Sequence, residues 1–264
     1  MNNRVDMINR FYNKINEDVR LTNSRHGQLE YLTTMEYIHK NANPAAKIIE
    51  IGAGTGRYSI GLAKEGYHVT SVELVEQNLK ILRENAKGIE NLESFQGDAL
   101  NLSRFADNTF DVTLVLGPLY HIYDRQEVDQ AINEAIRVTK QGGIIIAAFL
   151  SVHAILYTNY FGENFKEGIK ENFNDDFSTR HFTEQLFTGY DVKEFEDLFA
   201  EKKTEYITTV SADSILEFID IRTDLTFTDE EFELLLKYHL AVCEKRELLG
   251  FANHLLYICR KNKN

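Results

Sequence analysis

The stretch Lys47-Ile-Ile-Glu-Ile-Gly-Ala-Gly-Thr-Gly-Arg57 constrains this chain more than any other. A short apolar run, Ile48, Ile49 and Ile51, is broken by one acid, Glu50, and is followed by glycines at alternate positions, Gly52, Gly54 and Gly56. Tyr58 to Lys64 then reads as a helix. Strand, glycine turn and helix in this order can hold a nucleotide-type ligand against a parallel sheet. The backbone turns sharply there and nears the ligand with no Cβ in the way. A tight connection with no ligand has the same outline. The dinucleotide fingerprint G-x-G-x-x-G would need glycine at 57, where Arg57 stands.

The alternation continues downstream. His68 to Glu73 is a second strand, and it ends on Glu73, roughly 20 residues past the glycine turn. A carboxylate there can accept both hydroxyls of a ribose, and it would repel a 2′-phosphate; it could also cap the helix expected over Leu74 to Lys87. A third strand, Leu92 to Gln96, leads into Gly97-Asp98-Ala99-Leu100, and a fourth, Val112 to Leu116, into Gly117-Pro-Leu-Tyr-His-Ile122. In a doubly wound sheet the order reverses between strands one and four, and ligands bind at that crevice. The hexapeptide should therefore face the glycine turn. Pro118 stiffens it, Tyr120 offers an aromatic wall, and His121 offers a titratable group, as a general base or as a structural hydrogen-bond partner. A helix is expected from an Asp124 cap to Lys140, ended by Gln141-Gly-Gly143, and then a strand buried on both faces, Gly143 to Phe149. Five strands alternating with helices define an α/β chain.

Acid-x-G-x-G-x-G at 50–56 resembles the first motif of the class I S-adenosylmethionine-dependent methyltransferases. Glu73, Asp98-Ala99 and Phe110-Asp-Val-Thr113 are similar to the family's later motifs, in register, so the likeness spans about residues 47–150. It implies a doubly wound, mostly parallel seven-stranded sheet of order 3-2-1-4-5-7-6 with the last strand antiparallel. It also implies S-adenosylmethionine as cofactor: the methionine end over Gly52 to Gly56, the ribose on Glu73, the adenine amino group on Asp98 and a ring nitrogen at the Ala99 N–H. The implied cofactor contacts are Glu50, Gly52, Ala53, Gly54, Gly56, Glu73, Leu74, Asp98, Ala99 and Leu116. Tyr120 and His121 are the implied catalytic pair, Tyr120 for positioning and His121 as a base. Gly117-Pro-Leu-Tyr lacks the leading amide or carboxylate of the glutamine and adenine-N6 methyltransferases. It is similar to the loop of the small-molecule branch, which implies a small N, O, S or C acceptor. An RNA or protein methyltransferase, or an NAD-binding oxidoreductase of similar fold, is the alternative.

Composition narrows the partners. A net charge of -12 argues against broad binding to a phosphate backbone. No apolar run reaches the roughly 18 residues of a membrane span, and Cys243 and Cys259 alone suit a reducing cytoplasm. Neither Cys-x-x-Cys nor a close His pair marks a metal site. Oligomeric state is not encoded legibly.

The flanks are expected to complete one domain. Residues 1–43 read as a helical cap, with Val5, Ile8, Phe11, Tyr12 and Ile15 at helical spacing; the cap either closes the sheet edge only or also touches the ligand, and Arg20 and Arg25 could meet a carboxylate. Residues 44–150 form the cofactor-binding core. Residues 151–190 are rich in Phe and Tyr and carry Glu163, Asp175 and Asp176; they read as an inserted substrate lid, flanked by His153 and His181. Residues 191–264 complete the sheet: a helix at 191–201, a strand at 203–210, an indistinct stretch at 211–224, a long helix from Thr228 to about Leu248, and a final strand at 250–260 that His254 enters as a packed residue.

Overall fold

The computed structural model describes residues 3–15, 17–162, 164–182, 185–220 and 226–263; Glu163 and the end of the indistinct stretch at 221–224 lie outside them. Its strands are β1 (Lys47–Ile51), β2 (His68–Glu73), β3 (Leu92–Gln96), β4 (Phe110–Val115), β5 (Thr139–Ser151), β6 (Gly189–Tyr190), β7 (Thr204–Ser211) and β8 (His254–Lys261). They form one sheet of order β3-β2-β1-β4-β5-β8-β7, and the two-residue β6 pairs beside β5. β8 runs antiparallel to both its neighbours, and the other main pairings are parallel. This is the expected order, with β6 as an eighth, minor strand.

Alternation along the strands divides the core in two. Ile49 and Ile51 of β1 join Val115, Ala147 and Phe149 on one face, under helix α5 (Arg125–Val138). Ile48 joins Val69, Leu114 and Ile146 on the other, under α2 (Arg25–Asn41) and α3 (Arg57–Lys64). Glu50 shares the parity of Ile48 and so points toward α3. The remaining helices are α1 (Asn3–Tyr12), α4 (Glu76–Asn85), α6 (Val152–Tyr160), α7 (Phe165–Asn172), α8 (Val192–Asp197), α9 (Leu216–Asp220), α10 (Asp229–Val242) and α11 (Arg246–Leu249). Among the described residues no helix is long and apolar enough to cross a membrane.

Several boundaries differ from expectation. The helix after Asp124 stops at Val138, and β5 begins at Thr139 rather than Gly143. The two glycines do not end that helix but lie inside the strand, where Gly142 takes φ +75° and the pairing with β4 shifts register. Helix α8 is shorter than 191–201. The capping box at Thr228 opens α10 as expected, but the helix ends at Val242 and α11 follows separately. The last strand starts at His254, because Gly250 to Ala252 is taken up by the turn that leaves α11.

Phe195 of α8 is fully buried and stacks on Phe149 of β5, ring centroids 4.0 Å apart. Phe195→Ala is expected to lower the unfolding free energy by about 3–5 kcal/mol, and Phe195→Leu by much less. Urea denaturation of the two variants checks this.

Candidate active site

The glycine turn works as its sequence suggests, but not all of it faces the ligand space. Gly52 and Gly54 adopt φ of +80° and +55°, values costly for any residue with a side chain. A Cβ on Gly52 would lie 2.6 Å from the Pro118 ring, so the turn and the loop after β4 meet closely. Gly56 is different: a Cβ there would strike Leu82 of α4 at 2.7 Å. It packs one helix against the next.

Between the turn and the β4 loop lies a cavity of about 890 Å³, counting its open mouth. Glu50, Gly52, Ala53, Gly54, Glu73, Leu74, Asp98, Ala99 and Leu116 line it, together with Pro118, Tyr120 and His121. Every expected cofactor contact except Gly56 is therefore on its wall, as is the expected catalytic pair.

The carboxylate of Glu73 accepts the Gly54 N–H at 2.7 Å on one oxygen and the Val75 N–H at 2.8 Å on the other. It thereby ties the turn to Val75, which opens α4. Burial raises its carboxyl to about 7, against the pull of those two N–H groups. Glu50 is deeper. Ser59 of α3 donates to it, and Ser71 of β2 donates to Ser59 at 2.6 Å. Burial, with a smaller contribution from Glu73, raises Glu50 to about 8.

At the opposite end, Asp98 accepts the Leu100 N–H at 3.1 Å with one oxygen and the Arg4 guanidinium at 2.6 Å with the other. Arg4 also lies 3.2 Å from Glu127. At the reacting end, His121 Nδ1 faces the Leu186 carbonyl at 2.8 Å. A carbonyl only accepts, so Nδ1 carries the proton and Nε2 presents its lone pair to the Tyr12 hydroxyl, also at 2.8 Å. Burial, helped by the charge of Arg4, lowers His121 to about 4, so the ring is neutral near pH 7. Burial raises Tyr12 well above its ordinary value, so the phenol is the donor. Phe187 packs 4.9 Å from the His121 ring, and Tyr120 sits between Phe187 and His254.

The helical cap therefore contributes more than cover. Arg4, Ile8, Tyr12, Glu17, Asp18, Arg20 and Leu21 all line the cavity. Arg20 forks onto Glu30 at 2.7 and 3.1 Å and reaches Glu17 at 2.9 Å. Arg25 points elsewhere, to Asp229 and the Phe232 ring. Nothing local in the sequence marks Arg4 or Tyr12 as a site residue: Tyr12 fills an apolar slot in a helical repeat, and the partners lie 94 and 109 positions away. His153 and His181 pair with Asp191 and Glu194 and do not line the cavity. From the described residues of the aromatic insert, the Leu186 carbonyl, the Phe187 ring and the Thr188 N–H meet His121 and Tyr120, whereas Phe161 and Phe177 are exposed.

His254 is more than a packed strand residue. Its Nδ1 is 2.8 Å from Asp213, 3.7 Å from Glu30 and 3.9 Å from Glu217. Burial opposes its charge, but Glu30 and Asp213 outweigh burial and raise it to about 9. Asp213, Glu217 and His254 are close enough to hold a metal ion, but His254 Nδ1 is already engaged by Asp213.

Residues 49–147 match the family described as "Methyltransferase domain". The demethylmenaquinone methyltransferase of Streptomyces avermitilis is 35% identical over 106 residues, 40% of this chain and 43% of that protein. The chain spans about two-fifths of the length of the first curated relatives it matches. The PH0226 protein of Pyrococcus horikoshii superposes with a TM-score of 0.59 at 20% identity, covering 94% of this chain and all of that one. The Haemonchus contortus phosphoethanolamine N-methyltransferase 1, solved with phosphoethanolamine and S-adenosylhomocysteine, gives 0.61 at 15% identity over 99% of this chain and 49% of its own.

Glu50 makes the site's charge testable. From roughly pH 5 to 7 the folded chain keeps a proton on Glu50 that the unfolded chain, with an ordinary carboxyl near 4.5, has lost, so this group makes stability fall as pH rises through that window. Glu50→Gln is expected to flatten that decline in urea midpoint, measured without ligand. An unchanged slope would mean that Glu50 is ionised in the fold.

Proposed function

We propose that this chain, which carries a class I S-adenosylmethionine-dependent methyltransferase domain, moves a methyl group from that cofactor to an N, O, S or C nucleophile of a small molecule. The observation that carries the reading is convergence: the glycine turn, Glu73, Asp98 and the Gly117 to His121 loop, separate in sequence, wall one cavity. Gly52 and Gly54 support the reading: their positive φ angles strain any side chain, so the turn presents bare backbone to the cavity they line.

The cofactor, when bound, supplies a methyl group on a sulfonium that departs as a neutral thioether, so the protein's share is alignment and exclusion of water. In this reading Gly52, Ala53 and Gly54 lie along the methionine end with Glu50 behind them. Glu73 takes the ribose hydroxyls, Asp98 and Ala99 take the adenine, and Leu74 and Leu116 give apolar contact. Tyr120 and Pro118 shape the acceptor's approach. His121 takes up a proton at Nε2 through Tyr12: the acceptor's X–H donates to the Tyr12 oxygen as the Tyr12 O–H donates to His121. Such a weak base serves only a nucleophile whose proton is shed as its new bond forms.

Titration calorimetry with S-adenosylhomocysteine and with NAD tests the assignment. Binding of the thioether and not of NAD is expected; the reverse would make the chain an NAD-dependent oxidoreductase. Labelled cofactor supplied to a cell extract is expected to mark a small molecule, and label confined to RNA or protein would overturn the acceptor class. With a true acceptor in hand, Tyr12→Phe and His121→Ala are each expected to lower kcat by about a hundredfold with little change in S-adenosylhomocysteine affinity.

A further inference from the structure

Helix α1 lies along the cavity with an anchor at each end: Arg4 on Asp98 and Tyr12 on His121. Arg4 is almost fully buried, whereas Asp98 and Glu127 are partly exposed. One Asp98 oxygen serves the chain's own Leu100 N–H, and the other serves Arg4. A nucleobase at this end must take that carboxylate from a cation that already holds it.

We propose that Arg4 is a specificity-determining residue of the nucleotide subsite, a competitor for Asp98 that only a purine with a donor at its 6-position displaces well. This rests on assigning the cavity to S-adenosylmethionine. The exchange suits the local charges. A buried guanidinium cannot be left without a counter-ion, and Glu127, 3.2 Å from Arg4 Nε, remains to hold it when Asp98 turns to an exocyclic amino group. A 6-oxo purine brings a carbonyl to the same place: it offers Asp98 no donor at that position, leaves Arg4 where it is and can accept from the Arg4 guanidinium. Arg4 thus lowers affinity for the amino base and sets a narrower contrast between amino and oxo bases than Asp98 alone would give.

The test compares S-adenosylhomocysteine with its deaminated analogue, S-inosylhomocysteine, by titration calorimetry on the full chain. Arg4→Gln is expected to tighten S-adenosylhomocysteine about tenfold, the size of one charge-assisted hydrogen bond, without tightening the inosyl analogue. Arg4→Lys keeps the charge and should restore most of the wild-type ratio. Glu127→Gln removes the fallback partner and should weaken S-adenosylhomocysteine several-fold, an effect that vanishes when Arg4→Gln is added. Thermal melting checks that each variant folds, and the lysine variant carries the comparison should the glutamine variant not. Weaker S-adenosylhomocysteine binding in Arg4→Gln, or an equal change for both nucleosides, would overturn the proposal while leaving the methyltransferase reading intact. A wild-type chain that binds neither nucleoside would overturn both.

Discussion

The carboxylate of Glu73 is the contact on which the site depends. It gathers the N–H of Gly54 and the N–H of Val75, so that the glycine turn, the end of β2 and the start of α4 share one anchor. Without it two buried donors would lose their partner, at a cost of about 1–3 kcal/mol each. The same burial that strengthens these bonds raises the Glu73 carboxyl, and Glu50 behind it is raised further. The turn is therefore held by acids on the margin of ionisation near neutral pH. A ligand carrying positive charge would favour their ionised forms.

What could be read in the chain was local. The glycine turn, Glu73, Asp98 and the Gly117 loop each announce themselves within a few residues, and β1, β2 and β3 fall where their apolar patterns put them. The start of β5 was not legible, because Gln141-Gly-Gly143 looks like a helix stop and serves instead as an irregularity inside a strand. The insert is less legible for another reason: its aromatic residues follow no single period, and the fold buries some while leaving Phe161 and Phe177 in solvent. The partners of Arg4 and Tyr12 lie 94 and 109 positions away, beyond any motif.

Beside the cavity, the charges of Arg20 and His254, with the buried acids Glu30 and Asp213, link α2, the end of β7 and the start of β8 into one network. Arg20 holds Glu30 down to about 2 despite its burial, and Glu30 in turn helps keep His254 protonated. Such a chain is unforgiving: removing one member strands its neighbour's charge in a dry place. Its value lies in register, since each partner comes from a different element and only one arrangement satisfies them all.

The long separations in sequence bear on the order of assembly. Residues 3–12 are synthesised far ahead of Asp98 and His121, the residues they grip. Asp98 follows β3 and His121 follows β4, so docking α1 on them closes loops of 94 and 109 residues, a cost in chain entropy that only the assembled sheet offsets. A chain cut before Asp98 would hold the glycine turn and Glu73, yet it would lack the carboxylate and the imidazole that turn α1 from a free amphipathic segment into a wall of the cavity.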